Sequence, residues 1–201
     1  MAQEWDAIGR ELLHLLEEDE RVRAELAADG SLFQGYHPRM QAVHDANAAR
    51  LAVILDSHGW PGGSQVGEEG GQAAWLIVQH AIAQPAFQRS ALGLLQAAVR
   101  RGEAPALHAA MLEDRILSLE GRPQRYGTQF DWDAHGRMSP LPLEDPDGVD
   151  RRRQKVGLGP LDQALRAQRA TIDESAERPP HDWESRQREM EAWCRKVGWR
   201  K

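Results

Sequence analysis

The sequence predicts a mainly α protein, a compact helical bundle-like domain with a small peripheral β-hairpin. Apolar residues recur at three- and four-residue steps from Trp5 to Leu119, the runs are separated by glycine and proline clusters, and alternating segments flank the glycine turn Asp133-Ala134-His135-Gly136. Trp5, Ile8, Leu12, Leu15, Leu16, Val22 and Leu26 define the first amphipathic helix, with the acidic run Glu17 to Glu20 between them. It should end at Asp29-Gly30. A second helix is expected from about Arg39 to His58, stopped by Gly59-Trp60-Pro61-Gly62-Gly63. A third, after Val66-Gly67, carries Ala73 to Val78 and is apolar nearly all round, which marks it as the most buried. Pro85 opens a fourth and Pro105 a fifth, which ends at Gly121.

Beyond these, the hairpin is expected near 124–142, and Asp145-Pro146 and Gly159-Pro160 introduce two short helices. Arg151-Arg152-Arg153 reads as a solvated face. The organisation is a helical domain over 1–170 and, over 171–201, a linker with a C-terminal amphipathic helix. That tail is locally basic and carries Trp183, Trp193 and Trp199, so it should dock on its own domain or form a homodimer through this helix.

Composition narrows the function classes. The 201 residues are 41% hydrophobic and 28% charged, and the mean hydropathy of -0.63 belongs to a globular, water-soluble chain. No apolar run approaches the roughly 20 residues of a membrane span. The first residues lack the basic and apolar regions of a secretory signal, so a cytoplasmic location is expected. A net charge of -6 gives no basic footprint for nucleic acid. Cys194 stands alone, which excludes an intrachain disulfide and reads as a bystander thiol.

The informative residues are polar ones on apolar helix faces. His44 and Asn47 fall on the stripe defined by Met40, Val43, Leu51 and Ile54, and His80 follows the most apolar stretch of the chain. Asp114 sits on the face of Ala110, Met111 and Leu117. A buried imidazole or carboxylate needs a partner, so Asp114 should meet His80 or Arg115, with His44 and Asn47 completing a polar pocket. The helices bearing these residues should face one another. A carboxylate that orients an imidazole is the usual support of a general base, which makes His80 and Asp114 the catalytic candidates. Gln124, Tyr126 and Thr128 alternate onto one strand face and Gln129 onto the other, and with Arg115 they complete the binding candidates. Gly127 suits either a bulge or the close approach of a ligand.

No cofactor and no metal are expected. The chain has no cysteine ligand set and no histidine pair at helical spacing, and a metal on His44, His80 and Asp114 is the less favoured alternative. These residues point to an enzyme acting on a small polar molecule or peptide by general acid/base catalysis in a hydrolytic, cyclising or eliminating step. The alternative is a non-catalytic ligand- or protein-binding module.

His44-Asp45-Ala46-Asn47, Gly59-Trp60-Pro61, Val78-Gln79-His80, Asp114-Arg115, Gly121-Arg122-Pro123-Gln124 and Tyr126-Gly127-Thr128-Gln129 occur in that order. In these elements the chain resembles the bacterial "domain of unknown function 6624" family over about residues 5–168. The resemblance implies a single domain with a shared set of polar positions and brings no activity with it.

Overall fold

Helix signals in the sequence are met almost residue by residue. The computed structural model describes residues 2–33, 35–174 and 177–201, and the chain divides into two units, Met1–His108 and Ala109–Lys201. In the first, α1 (Ala2–Ala28) is followed by a short 3-10 turn (Ser31–Phe33), α2 (Pro38–His58), α3 (Gly63–His80) and α4 (Pro85–Arg100). Proline occupies the first turn of α2 and of α4, where its missing N–H costs nothing, and the His37 side chain caps α2 by accepting from Arg39 N at 3.1 Å. Gly59, at φ +75°, ends α2 in a conformation that residues with a Cβ avoid.

α3 starts earlier than the sequence predicts, yet Gly67 within it is non-helical at φ +77° and ψ 166°. The breaker signal was therefore sound, and the helix resumes beyond it. Inward residues of α1, α2 and α3, including Leu12, Leu51, Ile54, Ile77 and Val78, are buried. α1 lies unusually close to α3 because Gly9 and Gly70 face each other. A Cβ on Gly9 would stand 3.1 Å from the Val66 carbonyl oxygen, and one on Gly70 would stand 3.5 Å from Gly9 Cα. A smaller apolar cluster of Val22, Leu26 and Met40 packs Leu32, Tyr36 and Val43 against the far end of α1 and α2.

The unit boundary falls within α5 (Ala106–Leu119). The second unit continues with β1 (Phe130–Trp132), β2 (Met138–Pro140), α6 (Val149–Lys155), α7 (Leu161–Glu174) and α8 (Trp183–Val197). β1 and β2 pair antiparallel, with Asp131 opposite Ser139, around the expected turn. The hairpin is shorter than the span from 124 to 142. Residues 124–129 contribute only an isolated bridge from Gln124 to Leu143. Trp132, Met138 and Ile172 form the apolar centre beneath the hairpin.

The boundary expected at 170 falls inside α7, and residues 175 and 176, in the expected linker, lie outside the described residues. α8 docks on its own unit. Trp183 Nε1 donates to the Trp132 carbonyl at 2.8 Å, Arg186 forks onto both Asp131 oxygens at 2.6 Å, and Arg200 donates to the carbonyls of Ser118 and Leu119. Cys194 and Trp199 are buried by this docking unit, as the tryptophan-rich tail requires.

In the first unit, His108 stacks on Trp75 with ring centroids 4.2 Å apart, while the indole N–H donates to the His108 carbonyl at 3.1 Å. Burial disfavours the charged imidazole and pushes the His108 pKa down to about 4. The unfolded chain then binds a proton near pH 6.5 that the folded chain refuses, so stability falls as the pH drops from about 6.5 towards 4. His108→Phe keeps the stacked ring and removes the proton site. Melting curves across this window should therefore show a shallower decline for the variant than for the wild type. Equal slopes would mean that His108 does not contribute.

Candidate functional site

The first unit gathers three titratable side chains, one from each of its first three helices. Asp19 lies on α1, His44 on α2, and His80 is the last residue of α3. Asp19 Oδ2 is 2.8 Å from His80 Nδ1 and 3.2 Å from His44 Nε2. Tyr36 Oη, held against the Val22 cluster, reaches the other nitrogen of His44 at 2.8 Å. The two imidazoles lie 5.2 Å apart by centroid, tilted by 40°.

This network assigns the protons. Tyr36 donates to His44 Nδ1, so His44 Nε2 carries a hydrogen for Asp19, and His80 gives its Nδ1 hydrogen to the same oxygen. His80 Nε2 is left as an acceptor with no hydrogen bond among the described residues. Burial opposes the charge on Asp19 most strongly. Hydrogen bonds from His44 and His80, with the attraction of those rings, more than reverse that effect and hold the carboxyl well below the usual carboxylate range. Burial, with Asp45 and Asp19 nearby, pushes the Tyr36 phenol up, which keeps it protonated. Access differs among the three, because the side chain of His80 is 26% exposed, that of His44 10% and that of Asp19 only 2%.

Neighbouring residues fix the cluster. Asn47 Nδ2 donates to the Leu15 carbonyl at 2.9 Å, one turn before Asp19, so Asn47 ties α2 to α1. Gln88 Nε2 donates to the carbonyls of Val78 and Gln79 at 2.6 and 3.3 Å, satisfying the end of α3 where His80 sits. Gln84 Nε2 reaches Asp45 Oδ1 at 2.8 Å, joining the segment after His80 to the residue next to His44.

The sequence reading named His44 and His80, and the structure brings them together. It missed Asp19, which is the carboxylate His80 actually meets. Asp19 hides in an acidic run, but it stands seven residues after Leu12 and three before Val22, on the apolar stripe of α1. That spacing was the available signal.

The other predicted carboxylate has a different task. Asp114 is fully buried in the second unit, and its oxygens accept from the backbone N–H of Arg125 (2.7 Å), Tyr126 (3.1 Å) and Thr128 (3.0 Å) and from the Thr128 hydroxyl (3.0 Å). The expected pairing with His80 or Arg115 is replaced by these bonds. Amides turned towards one carboxylate cannot form a strand ladder, which explains why 124–129 is a loop. Arg153 secures the other side of the loop by donating to the carbonyls of Tyr126, Gly127 and Gly159 at 2.7, 3.1 and 2.6 Å.

Arg153 is thus buried rather than part of a solvated face, and Arg152 also turns inward to the Arg125 carbonyl. Gln124, fully buried, donates to the carbonyls of Gln129 and Leu141 and accepts from Gln129 N, while the Gln129 amide nitrogen donates to Thr128 Oγ1. Gly127 is required because φ is +65° and a Cβ would stand 2.8 Å from the Leu161 side chain. The side chains of Leu161 and Leu143 approach it. Arg115 is left less satisfied. Its Nε is buried with no hydrogen-bond partner among the described residues, and burial pushes its pKa down to about 10.

The first unit is therefore a helical scaffold presenting one buried carboxylate between two imidazoles, the class of site that supports proton transfer or metal ligation. The chain belongs to the family of unknown function (DUF6624), whose model matches residues 6–173. Comparison with curated proteins and with solved structures gives no match. No helix among the described residues is long and apolar enough to cross a membrane.

Asp114→Asn turns an amide NH2 towards backbone N–H donors and removes the charge they serve. It should lower the unfolding free energy by about 3 kcal/mol in denaturant titration. A variant as stable as the wild type would overturn the role given to Asp114.

Proposed function

We propose that the chain is an enzyme that acts on a small polar molecule or peptide by general acid/base catalysis in a hydrolytic, cyclising or eliminating step. His80 transfers the proton and Asp19 is its positioning carboxylate. The observation that carries this reading is the state of the His80 ring: Nδ1 is fixed at 2.8 Å on a buried carboxylate while Nε2 is free to accept from a substrate. His44 and Tyr36 complete the support. They hold the Asp19 oxygen that His80 uses, so its position does not depend on His80 alone. Protonation of Nε2 by a substrate would create an imidazolium against an ionised carboxylate, an arrangement that favours the transfer.

Screening amino acids, peptides and nucleotides by thermal shift would find ligands, because a compound that binds only the folded state raises the melting point. With a turnover assay in hand, His80→Gln should reduce kcat by roughly 10²- to 10⁴-fold while the protein still melts cooperatively. Asp19→Asn should reduce it less. Unchanged turnover in His80→Gln, with a loss of only about 1–3 kcal/mol in stability, would make the cluster structural.

A second reading, a ligand-binding module, draws on Arg115. A buried guanidinium nitrogen with no hydrogen-bond partner among the described residues suits a carboxylate or phosphate group. In the same screen, stabilisation by anionic compounds that disappears in Arg115→Gln would support this role, and stabilisation that persists would reject it.

A further inference from the structure

We propose that Asp19, His44 and His80 bind a divalent transition-metal ion through Asp19 Oδ2, His44 Nε2 and His80 Nδ1. These donor atoms lie within 4.8 Å of one another. Asp19 Oδ2 stands 2.8 and 3.2 Å from the two nitrogens, close to the roughly 3.4 Å between neighbouring ligands on a tetrahedral ion with bonds near 2.1 Å. Two imidazoles and one carboxylate suit zinc, iron(II), cobalt or manganese, whereas calcium and magnesium favour sets made of oxygen alone. No metal is expected from the sequence because it has no cysteine ligand set and no close histidine pair at helical spacing. Three packed helices supply the ligands instead.

The surroundings fit the ion as well as the ligands do. Tyr36 Oη lies 2.8 Å from the His44 nitrogen opposite the proposed ligand atom, the place where a metal-bound histidine keeps its outer hydrogen bond. A phenol both donates and accepts. With the ion bound, His44 Nδ1 takes the hydrogen and gives it to the phenol oxygen, so the tautomer changes without displacing either ring. Asp19 Oδ1 is an independent sign. It is a buried oxygen of an ionised carboxylate with no hydrogen-bond partner among the described residues, and a second bond to the ion or a hydrogen bond from ion-held water would satisfy it.

Three protein ligands leave coordination positions open, and His80 is the most exposed of the three, so a substrate oxygen could reach the ion. Ligation through Nδ1 moves the His80 hydrogen to Nε2, so in catalytic terms the ion would replace His80 as the activating group at the same centre rather than add to the acid/base reading. As a binding site it stands alone.

The test uses full-length, untagged protein stripped with a chelator and dialysed. Zinc titration by calorimetry should show one ion per chain, zinc should raise the melting point, and cobalt(II) should give a visible absorption band of low-symmetry coordination. His80→Ala and Asp19→Ala should abolish the calorimetric signal. Tyr36→Phe, which keeps every ligand, should weaken zinc binding by about 10- to 100-fold and so provides a readout if the ligand variants fail to fold. No binding by the stripped wild type would overturn the proposal, as would affinity unchanged by Tyr36→Phe together with unchanged affinity in a folded ligand variant. Turnover that depends on His80 in protein free of metal would remove a catalytic role for the ion and leave the acid/base reading. Stoichiometric binding with turnover indifferent to His80 would do the reverse.

Discussion

A carboxylate out of contact with water must be given donors, and this constraint shapes both units of the protein. Left alone, such a charge costs several kcal/mol, more than most single interactions return. Asp19 and Asp114 are each almost completely buried, and each has organised its surroundings. The two solutions differ in the donors. Asp114 takes backbone amides and a hydroxyl, which cannot change protonation near neutral pH, and the result is a fixed loop. Asp19 takes two imidazoles, which can, and the result is a cluster whose donors are titratable side chains. Nothing in the residue type distinguishes them; the partner decides.

That distinction also explains what the sequence revealed. Helix existence and ends were legible because proline, glycine and apolar period act locally. The Pro38 and Pro85 starts and the Gly59 stop follow from backbone geometry that needs no tertiary contact. His44 and His80 stood out because an imidazole on an apolar face is a visible exception. Asp19 did not, since Glu17, Glu18 and Glu20 beside it are ordinary helix surface and mask the one acid that turns inward. Asp114 was visible as a buried acid, but its donors are main-chain groups, which every residue carries and no composition discloses. For the same reason the polar residues of 124–129 looked available to a ligand when most of them are bonded to one another.

Arg153 and Asp114 act on the 124–129 loop as a pair, one satisfying its carbonyls and the other its amides. Each therefore replaces a strand neighbour. A segment with glycine at its centre and polar residues around it gains a single conformation from two charged side chains, although it buries little apolar surface of its own.

The facing glycines of α1 and α3 have a consequence for protein engineering. Replacing an interior helical glycine by alanine ordinarily adds up to about 1 kcal/mol of stability through helix propensity. At Gly9 the added methyl would meet a main-chain oxygen 3.1 Å away, which cannot turn aside as a side chain can. The helix would have to slide or roll to make room. Gly9 and Asp19 are carried by the same rigid rod, about 15 Å apart along its axis, so relief at one end displaces the carboxylate at the other. A thermostabilised version of this protein has to leave Gly9 as it is, because alignment of Asp19 with His44 and His80 is set by the absence of a single carbon atom.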